Sequence, residues 1–306
     1  MPAQLDEPAR QRALDTYRVV DSLPEAAYHD IVSLASTLCN TPIALVSLVD
    51  RERQWFKASH GLGATGTRRD EAFCNYAIDA PTQLMEVPDA RGDTRFAGNP
   101  LVTGDLSIRF YAGMPLVTEA GAAIGTVCVL DNKPRELDAR QRAGLQALAR
   151  LTMTLLDARL HEQQLERAVL LAEATHVDKA AVADAAGYTV AIFQVQDLAG
   201  HALRIGERAL DRQLQDLARQ LHDVLPAGGG DSVNHTTHSP DFIAVLHGEQ
   251  ATATEQALRA KADEFTARSG IQVVSGSARA RTAADRIETV FMRADEALTQ
   301  AKSAAV

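Results

Sequence analysis

The run Pro42-Ile43-Ala44-Leu45-Val46-Ser47-Leu48-Val49-Asp50, followed by Arg51-Glu52-Arg53 and then Gln54-Trp55-Phe56-Lys57-Ala58-Ser59, decides how the first half of the chain folds. Its first part is aliphatic and β-branched, and Pro42 punctuates its start. Its middle is a polar turn at 50–53. A second β-rich run begins at Gln54. Two such runs joined by a short polar turn read as an antiparallel hairpin.

Upstream, residues 8–21 read as a helix with Leu14, Tyr17 and Val20 on one face, and Pro24 closes it. Residues 26–39 read as a second amphipathic helix, with Ile31, Leu34, Ala35 and Leu38 inward. Downstream, 61–71 is a Gly- and Thr-rich loop, 72–79 a short helix and 84–87 a short strand ending at Pro88. Residues 89–105 form a long polar loop of the kind that carries function. Strands at 111–117 and 124–130 follow. Helices, strand pair, loops, strand pair and helix make an α+β domain, an antiparallel sheet with helices on one face.

Residues 134–174 are helical in pattern throughout, with an apolar stripe that includes Leu145, Leu148, Leu155, Leu165 and Val169. From about residue 158 the stripe fits an a/d seam through Leu165 and Ala172, so a dimer helix is expected rather than one more core helix. The second half has its own order. It runs strand 188–194, helix 201–225, strands 232–237 and 242–247, helix 252–269, strand 272–278 and helix 284–301. That is β-α-β-β-α-β-α, a ferredoxin-like split βαβ with one added helix. The expected domains are 1–157, a helical linker at 158–185 and 186–306.

Composition sets outer bounds. The 306 residues are 46% hydrophobic and 23% charged, which is globular. A net charge of -9 argues against a broad basic face for nucleic acid. The first ten residues have no signal-peptide pattern, and the most apolar stretch, 122–130, is too short to span a bilayer. Cys39, Cys74 and Cys128 are widely spaced with no CxxC pair, which fits a reducing cytoplasm.

Residues 10–157 resemble a common bacterial branch of the GAF family. The likeness is carried by the 42–50 and Gln54-Trp55-Phe56-Lys57 runs already quoted and by Phe73-Cys74-Asn75-Tyr76-Ala77-Ile78. Asp93-Thr94-Arg95-Phe96-Ala97-Gly98-Asn99-Pro100, Arg109-Phe110-Tyr111-Ala112-Gly113 and Ile124-Gly125-Thr126-Val127-Cys128-Val129-Leu130-Asp131 complete it. The resemblance implies a PAS-like sensor whose sheet face and covering loops hold a small ligand, and it leaves that ligand open. Candidate pocket residues are Trp55, Phe73, Cys74, Asn75, Arg109, Phe110 and Tyr111, aromatic faces with a few polar tips. Filling the core is the competing role for these aromatics. For Cys74 a buried structural thiol is the favoured reading over oxidant sensing or bilin attachment, since no neighbour in sequence lowers its pKa. Arg95 and Arg109 either clamp an anion or anchor carboxylates of their own domain. The Asn-Lys-Phe-Asp-Glu signature of cyclic-nucleotide-binding GAF domains is absent.

Residues 186–302 resemble a diverged GGDEF domain, the diguanylate cyclase fold. Ser239-Pro240-Asp241-Phe242-Ile243-Ala244-Val245-Leu246 stands where that family has Gly-Gly-Asp-Glu-Phe-Ala-Val-Leu. The closing helix Ala294-Asp295-Glu296-Ala297-Leu298-Thr299-Gln300-Ala301-Lys302 is the most specific match. Joining two GTP molecules needs divalent metal ions held by hard anionic oxygens. The family's first-strand Asp-x-Asp becomes Gln194-Val195-Gln196 here, its two hairpin glycines become Ser239 and Pro240, and the acid after Asp241 becomes Phe242. Pro240 also removes an N–H donor. These six positions, Gln194, Gln196, Ser239, Pro240, Asp241 and Phe242, are therefore expected to be non-catalytic.

Other groupings carry less. His235, His238 and His247 lie on or near one hairpin, but alternation sends His235 and His238 to opposite faces and no acidic shell accompanies them. Gly228-Gly229-Gly230 lacks the Lys-Ser/Thr of a phosphate loop. The expectation is a cytoplasmic signalling homodimer. A GAF sensor is coupled to a GGDEF-like output that acts by binding protein or nucleotide, with a partner protein in cyclic-di-GMP signalling and with no cofactor, metal, nucleic acid or membrane insertion. The alternative is an active or weakly active diguanylate cyclase under GAF control. A third reading, a thiol enzyme working through Cys74 on an oxidised small molecule, needs a second thiol nearby that the sequence does not obviously supply.

Overall fold

A computed structural model describes residues 6–176, 187–227, 230–235, 239–282 and 285–304. The chain divides into two compact units, 1–160 and 161–306.

The first unit is built on a six-stranded antiparallel sheet. In chain order its strands are β1 (Ile43–Val49), β2 (Arg53–His60), β3 (Gly66–Arg68), β4 (Met85–Val87), β5 (Phe110–Val117) and β6 (Ala123–Asp131), and in space they run β3-β2-β1-β6-β5-β4. The hairpin expected from 43–59 is β1 and β2. It contains a bulge: Val46 pairs with Ala58 and Ser47 with Phe56, so Lys57 has no partner on β1. The extra residue turns Lys57 toward the helical face of the sheet.

Helices α1 (Glu7–Tyr17) and α2 (Ala26–Cys39) cover that face. Helix α1 stops short of the expected 21, because Arg18 takes the left-handed conformation at φ 47°. The Lys57 ammonium is fully buried there, held by Ser22 Oγ at 2.8 Å, the Leu23 carbonyl at 2.7 Å and the Glu25 carboxylate at 2.6 Å. The opposite face carries the short helix α3 (Phe73–Ala77) and the loop with α4 (Pro100–Thr103). Between them lies a core of Leu45, Val49, Phe56, Phe73, Phe96 and Tyr111, among others.

Helix α5 (Ala139–His176) begins five residues later than the pattern implied. Asp138 and Gln141 cap it reciprocally: the Gln141 N–H donates to the Asp138 carboxylate at 2.8 Å, and the Asp138 N–H donates to Gln141 Oε1 at 3.0 Å. Gly144 lets α5 lie close on α2, since a Cβ there would come within 2.1 Å of Leu38.

The second unit has strands β7 (Tyr188–Val195), β8 (Ser232–His235), β9 (Asp241–His247) and β10 (Val273–Arg279), in the spatial order β10-β7-β9-β8 with every neighbouring pair antiparallel. Helices α6 (Leu198–Ile205), α7 (Glu207–His222), α8 (Ala251–Ser269) and α9 (Ile287–Ala304) complete it. The single helix expected at 201–225 is two helices, because Gly206 at φ 84° interrupts it. The split βαβ order is otherwise the expected one. Leu171, from the 158–185 stretch, is buried with Val190, Ile192, Ile243, Val290 and Phe291. Residues 177–186 lie outside those described, as do Gly228, Gly229 and His238. No helix among the described residues is long and apolar enough to cross a membrane.

Candidate functional site

Alternation along the strands decides which candidate residues meet. Ser47 on β1, Gln54 and Phe56 on β2, Tyr111 on β5, and Thr126 and Cys128 on β6 share the sheet face that α3 covers. From α3, Cys74 points back onto this patch. Its sulfur accepts from Gln54 Nε2 at 2.9 Å, Thr126 Oγ1 at 3.0 Å, Ser47 Oγ at 3.2 Å and Tyr111 OH at 3.3 Å. Cys128 Sγ lies 3.8 Å away. The second thiol that sequence reasoning did not find is therefore here.

The arrangement is specified by its neighbours. Thr67 Oγ1 donates to Gln54 Oε1 at 3.0 Å, which leaves the amide nitrogen aimed at sulfur. Gly113 stands two residues from Tyr111 on the same face. A Cβ there would lie 2.1 Å from the Tyr111 hydroxyl, so only glycine leaves that hydroxyl its path to Cys74. The Phe73 ring stacks between Phe96 at 4.1 Å and Tyr111 at 5.2 Å.

A thiol has one proton to donate, whereas four polar groups converge on this sulfur. A thiolate accepts from all of them. Burial pushes the Cys74 thiol up, but hydrogen bonds from Cys128, Ser47, Thr126 and Tyr111 outweigh it and hold Cys74 below the usual thiol range. Burial and the neighbouring Cys74 charge push Cys128 well up, so one proton stays with the pair. Cys39, buried elsewhere without such donors, is pushed up by burial to about 11.

Beside this sulfur pair is a narrow cavity, with about 30 Å³ open to the centre of a water-sized guest. Cys74, Cys128, Gln54, Thr67 and Tyr111 are its polar lining, and Leu62, Leu101 and the exposed Leu106 are among its apolar lining. No carboxylate, ammonium or guanidinium group lines it. Of the seven candidates, Phe73, Cys74 and Tyr111 face this cavity. Trp55 and Phe110 lie on strand positions that alternate to the helical face, where they are buried. Asn75 accepts from Arg69 Nε at 2.8 Å, and Arg109 donates to the carbonyls of Val102 at 2.8 Å and Ile108 at 3.0 Å. Arg95 pairs with Asp93 at 2.6 Å. Arg95 thus holds a carboxylate of its own domain, as the second of the two sequence readings expects, whereas Arg109 is bound to backbone carbonyls instead. Ser47, Gln54, Gly113, Thr126 and Cys128 were missed. Alternation marks them as inward-facing, but nothing local aims them at Cys74.

In the second unit, Gln194 and Asp241 are cross-strand partners on β7 and β9. Gln194 Nε2 donates to the Asp241 carboxylate at 2.8 Å, and Gln196 Nε2 donates to the Gln194 carbonyl at 3.1 Å and to Gln194 Oε1 at 3.3 Å. Asp241 is 3% exposed. Phe242 pairs with Phe193 on the other sheet face and stacks on His235 at 4.4 Å. Pro240 gives its carbonyl to the Val195 N–H at 2.9 Å, and the Ser239 carbonyl lies 3.1 Å from His235 Nε2. One buried carboxylate tied to a neutral amide does not fit the hard anionic donor set of a Mg²⁺ pair. Among the described residues no group of three or more His, Cys, Asp or Glu side chains is placed to hold a metal ion.

Residues 23–156 match the GAF domain family. A cyclic di-GMP phosphodiesterase of Pseudomonas aeruginosa is 42% identical over 161 residues, which is 52% of this chain and 27% of that protein. The chain thus spans about a quarter of that curated relative's length. Among solved structures, the GAF domain of an Acinetobacter phosphoenolpyruvate-protein phosphotransferase is 16% identical with a TM-score of 0.38, over 48% of this chain and 93% of that one. A microbial GGDEF domain described with cyclic di-GMP is 22% identical with a TM-score of 0.39, over 45% and 87%. Residues 23–156 of the first unit are a GAF domain, and the second unit is a separate four-stranded α+β unit with the strand order β10-β7-β9-β8.

Proposed function

We propose that this is a cytoplasmic signalling protein in which the GAF unit senses a small molecule and the GGDEF-like unit is a non-catalytic output, acting by binding a protein or nucleotide. The observation that carries the second half is the Gln194–Asp241 pair. Phosphoryl transfer between nucleotides needs concentrated negative charge to hold metal ions against the phosphates. Here an amide occupies one position and covers the single carboxylate at the other. The likeness of 161 residues of this chain to part of a cyclic di-GMP phosphodiesterase supports a partner within that signalling system.

Exposed Leu165 and Val169, one helical turn apart on α5, support a homodimer built along that helix. A small change in the helix pair would then reorient the output units.

The test is GTP turnover by the purified full chain with Mg²⁺ and with Mn²⁺, following cyclic di-GMP. No product above the Asp241→Ala background is expected. Product that Asp241→Ala abolishes would establish the alternative, a working cyclase, and overturn this reading.

A further inference from the structure

We propose that Cys74 and Cys128 form a reactive dithiol that reduces a small neutral hydroperoxide entering the adjoining cavity, and that this reaction is what the GAF unit senses. The inference rests on reading the GAF unit as the sensing half, and it names the chemical class to which that half responds.

Three observations carry it. First, the Cys74 sulfur receives four polar groups within 3.3 Å, the environment of a thiolate rather than a packed thiol. A structural thiol needs none of them. Ser47, Thr126, Gln54 and Tyr111 come from four different strands, so the convergence is a property of the tertiary fold. Second, the sulfur in contact with it is itself a free thiol, Cys128, at 3.8 Å, and both are buried. Third, both sulfurs line the cavity, its other walls are aliphatic and aromatic apart from Gln54 and Thr67, and the Cys74 thiolate is its one charged group. Its volume admits the equivalent of two or three waters, at about 10–15 Å³ for each guest centre. A nucleotide exceeds its size, and a carboxylate would meet no cationic side chain in its lining. A two-oxygen neutral molecule fits both the size and the lining.

The chemistry balances on the groups present together with the peroxide. The Cys74 sulfur attacks the nearer oxygen, an S–O bond forms and the O–O bond breaks. The leaving hydroxide takes up one proton from solvent, the equivalent of the one Cys74 released there on becoming a thiolate, and departs as water (as an alcohol, for an organic hydroperoxide). Cys74 is oxidised by two electrons to a sulfenic acid, and the peroxide is reduced. Cys128 then attacks the Cys74 sulfur. The S–O bond breaks, its hydroxyl leaves as water with the Cys128 proton, and a disulfide forms. The sulfurs must close from 3.8 Å to about 2.05 Å, which pulls α3 and β6 together. That movement, at the centre of the sheet, is the conformational signal.

Cys39 is an internal control in the same native molecule, equally buried but without donors. The reduced full chain is treated with hydrogen peroxide at neutral pH, sampled over time, denatured in acid and alkylated, and each cysteine is followed by peptide mass spectrometry. Cys74 and Cys128 are expected to disappear together into one linked peptide pair, about tenfold or more faster than Cys39 is modified. In Cys128→Ser the reaction should stop at a sulfenic acid on Cys74 that dimedone traps. Cys39 reacting as fast as Cys74, or a Cys74 that stays reduced, overturns the proposal, and the wild-type comparison does not depend on any variant folding. An inert Cys74 leaves the GTP assay untouched, and cyclase activity leaves the thiol assay untouched, so the two readings fail separately.

Discussion

Lys57 and Cys74 show at single-residue scale how one sheet serves two purposes. Lys57 sits in the bulge of β2, and its buried ammonium is matched by the Glu25 carboxylate. Burial pulls its pKa down, Glu25 pulls it up, and the net is a fall to about 8. An unfolded lysine keeps its proton to about pH 10.4. Between those limits the unfolded chain binds more protons than the folded one, so deprotonation favours folding. The stability of wild type relative to Lys57→Met is expected to rise between pH 8 and 10, by at most about 1.4 kcal/mol per pH unit. Urea denaturation of both proteins across that range checks it, and a flat difference would mean the charge is solvated. Cys74, buried on the other side of the same sheet, is perturbed downward by donors alone.

At the scale of elements, close backbone approach governs the second unit. Helix α9 packs on β7 and β10, and at Gly276 on β10 its backbone approaches closely. A Cβ at Gly276 would lie 2.1 Å from the Leu298 amide nitrogen and 2.6 Å from the Ala294 carbonyl oxygen. Backbone atoms of a buried helix have no rotamer by which to yield. Gly276→Ala is expected to lift α9 off the sheet and cost about 1–3 kcal/mol. A fall in the urea midpoint with an unchanged slope would bear this out, and wild-type stability would show that α9 adjusts freely. The pattern of the closing helix was visible in sequence, with Val290, Phe291, Ala294 and Leu298 on its buried side. The glycine that admits it was visible only as a residue in a strand.

For the whole molecule, the dimer reading makes a direct demand on α5. Leu165 is 69% exposed and Val169 56%, while Leu171 turns into the second unit's core and Arg167 lies over the Phe291 ring at 4.7 Å. The two exposed positions are four residues apart, on one side of the helix. The full chain is expected to sediment as a dimer and the double variant Leu165→Glu, Val169→Glu as a monomer with unchanged circular dichroism. A wild-type monomer at micromolar concentration would remove the helix pair as the route of signalling.

Much of the architecture was legible in sequence because it depends on local chemistry. The aliphatic, β-branched run of 43–49, the polar turn at 50–53 and the amphipathic period of 26–39 each specify an element within a few residues of chain. Their order then limits the topology to an antiparallel sheet with helices. The replacements at Gln194, Ser239, Pro240 and Phe242 could also be read directly, since an amide or a phenyl ring is not a carboxylate wherever it sits. The pocket was different. Phe73, Cys74 and Tyr111 were named, but Trp55, Asn75, Arg109 and Phe110 were named with them. The Cys74–Cys128 pair, 54 residues apart, and the four donors around it come from separate strands and one short helix. Only strand pairing and register bring them within 4 Å, because the chemistry of a buried sulfur is decided by what the tertiary structure aims at it.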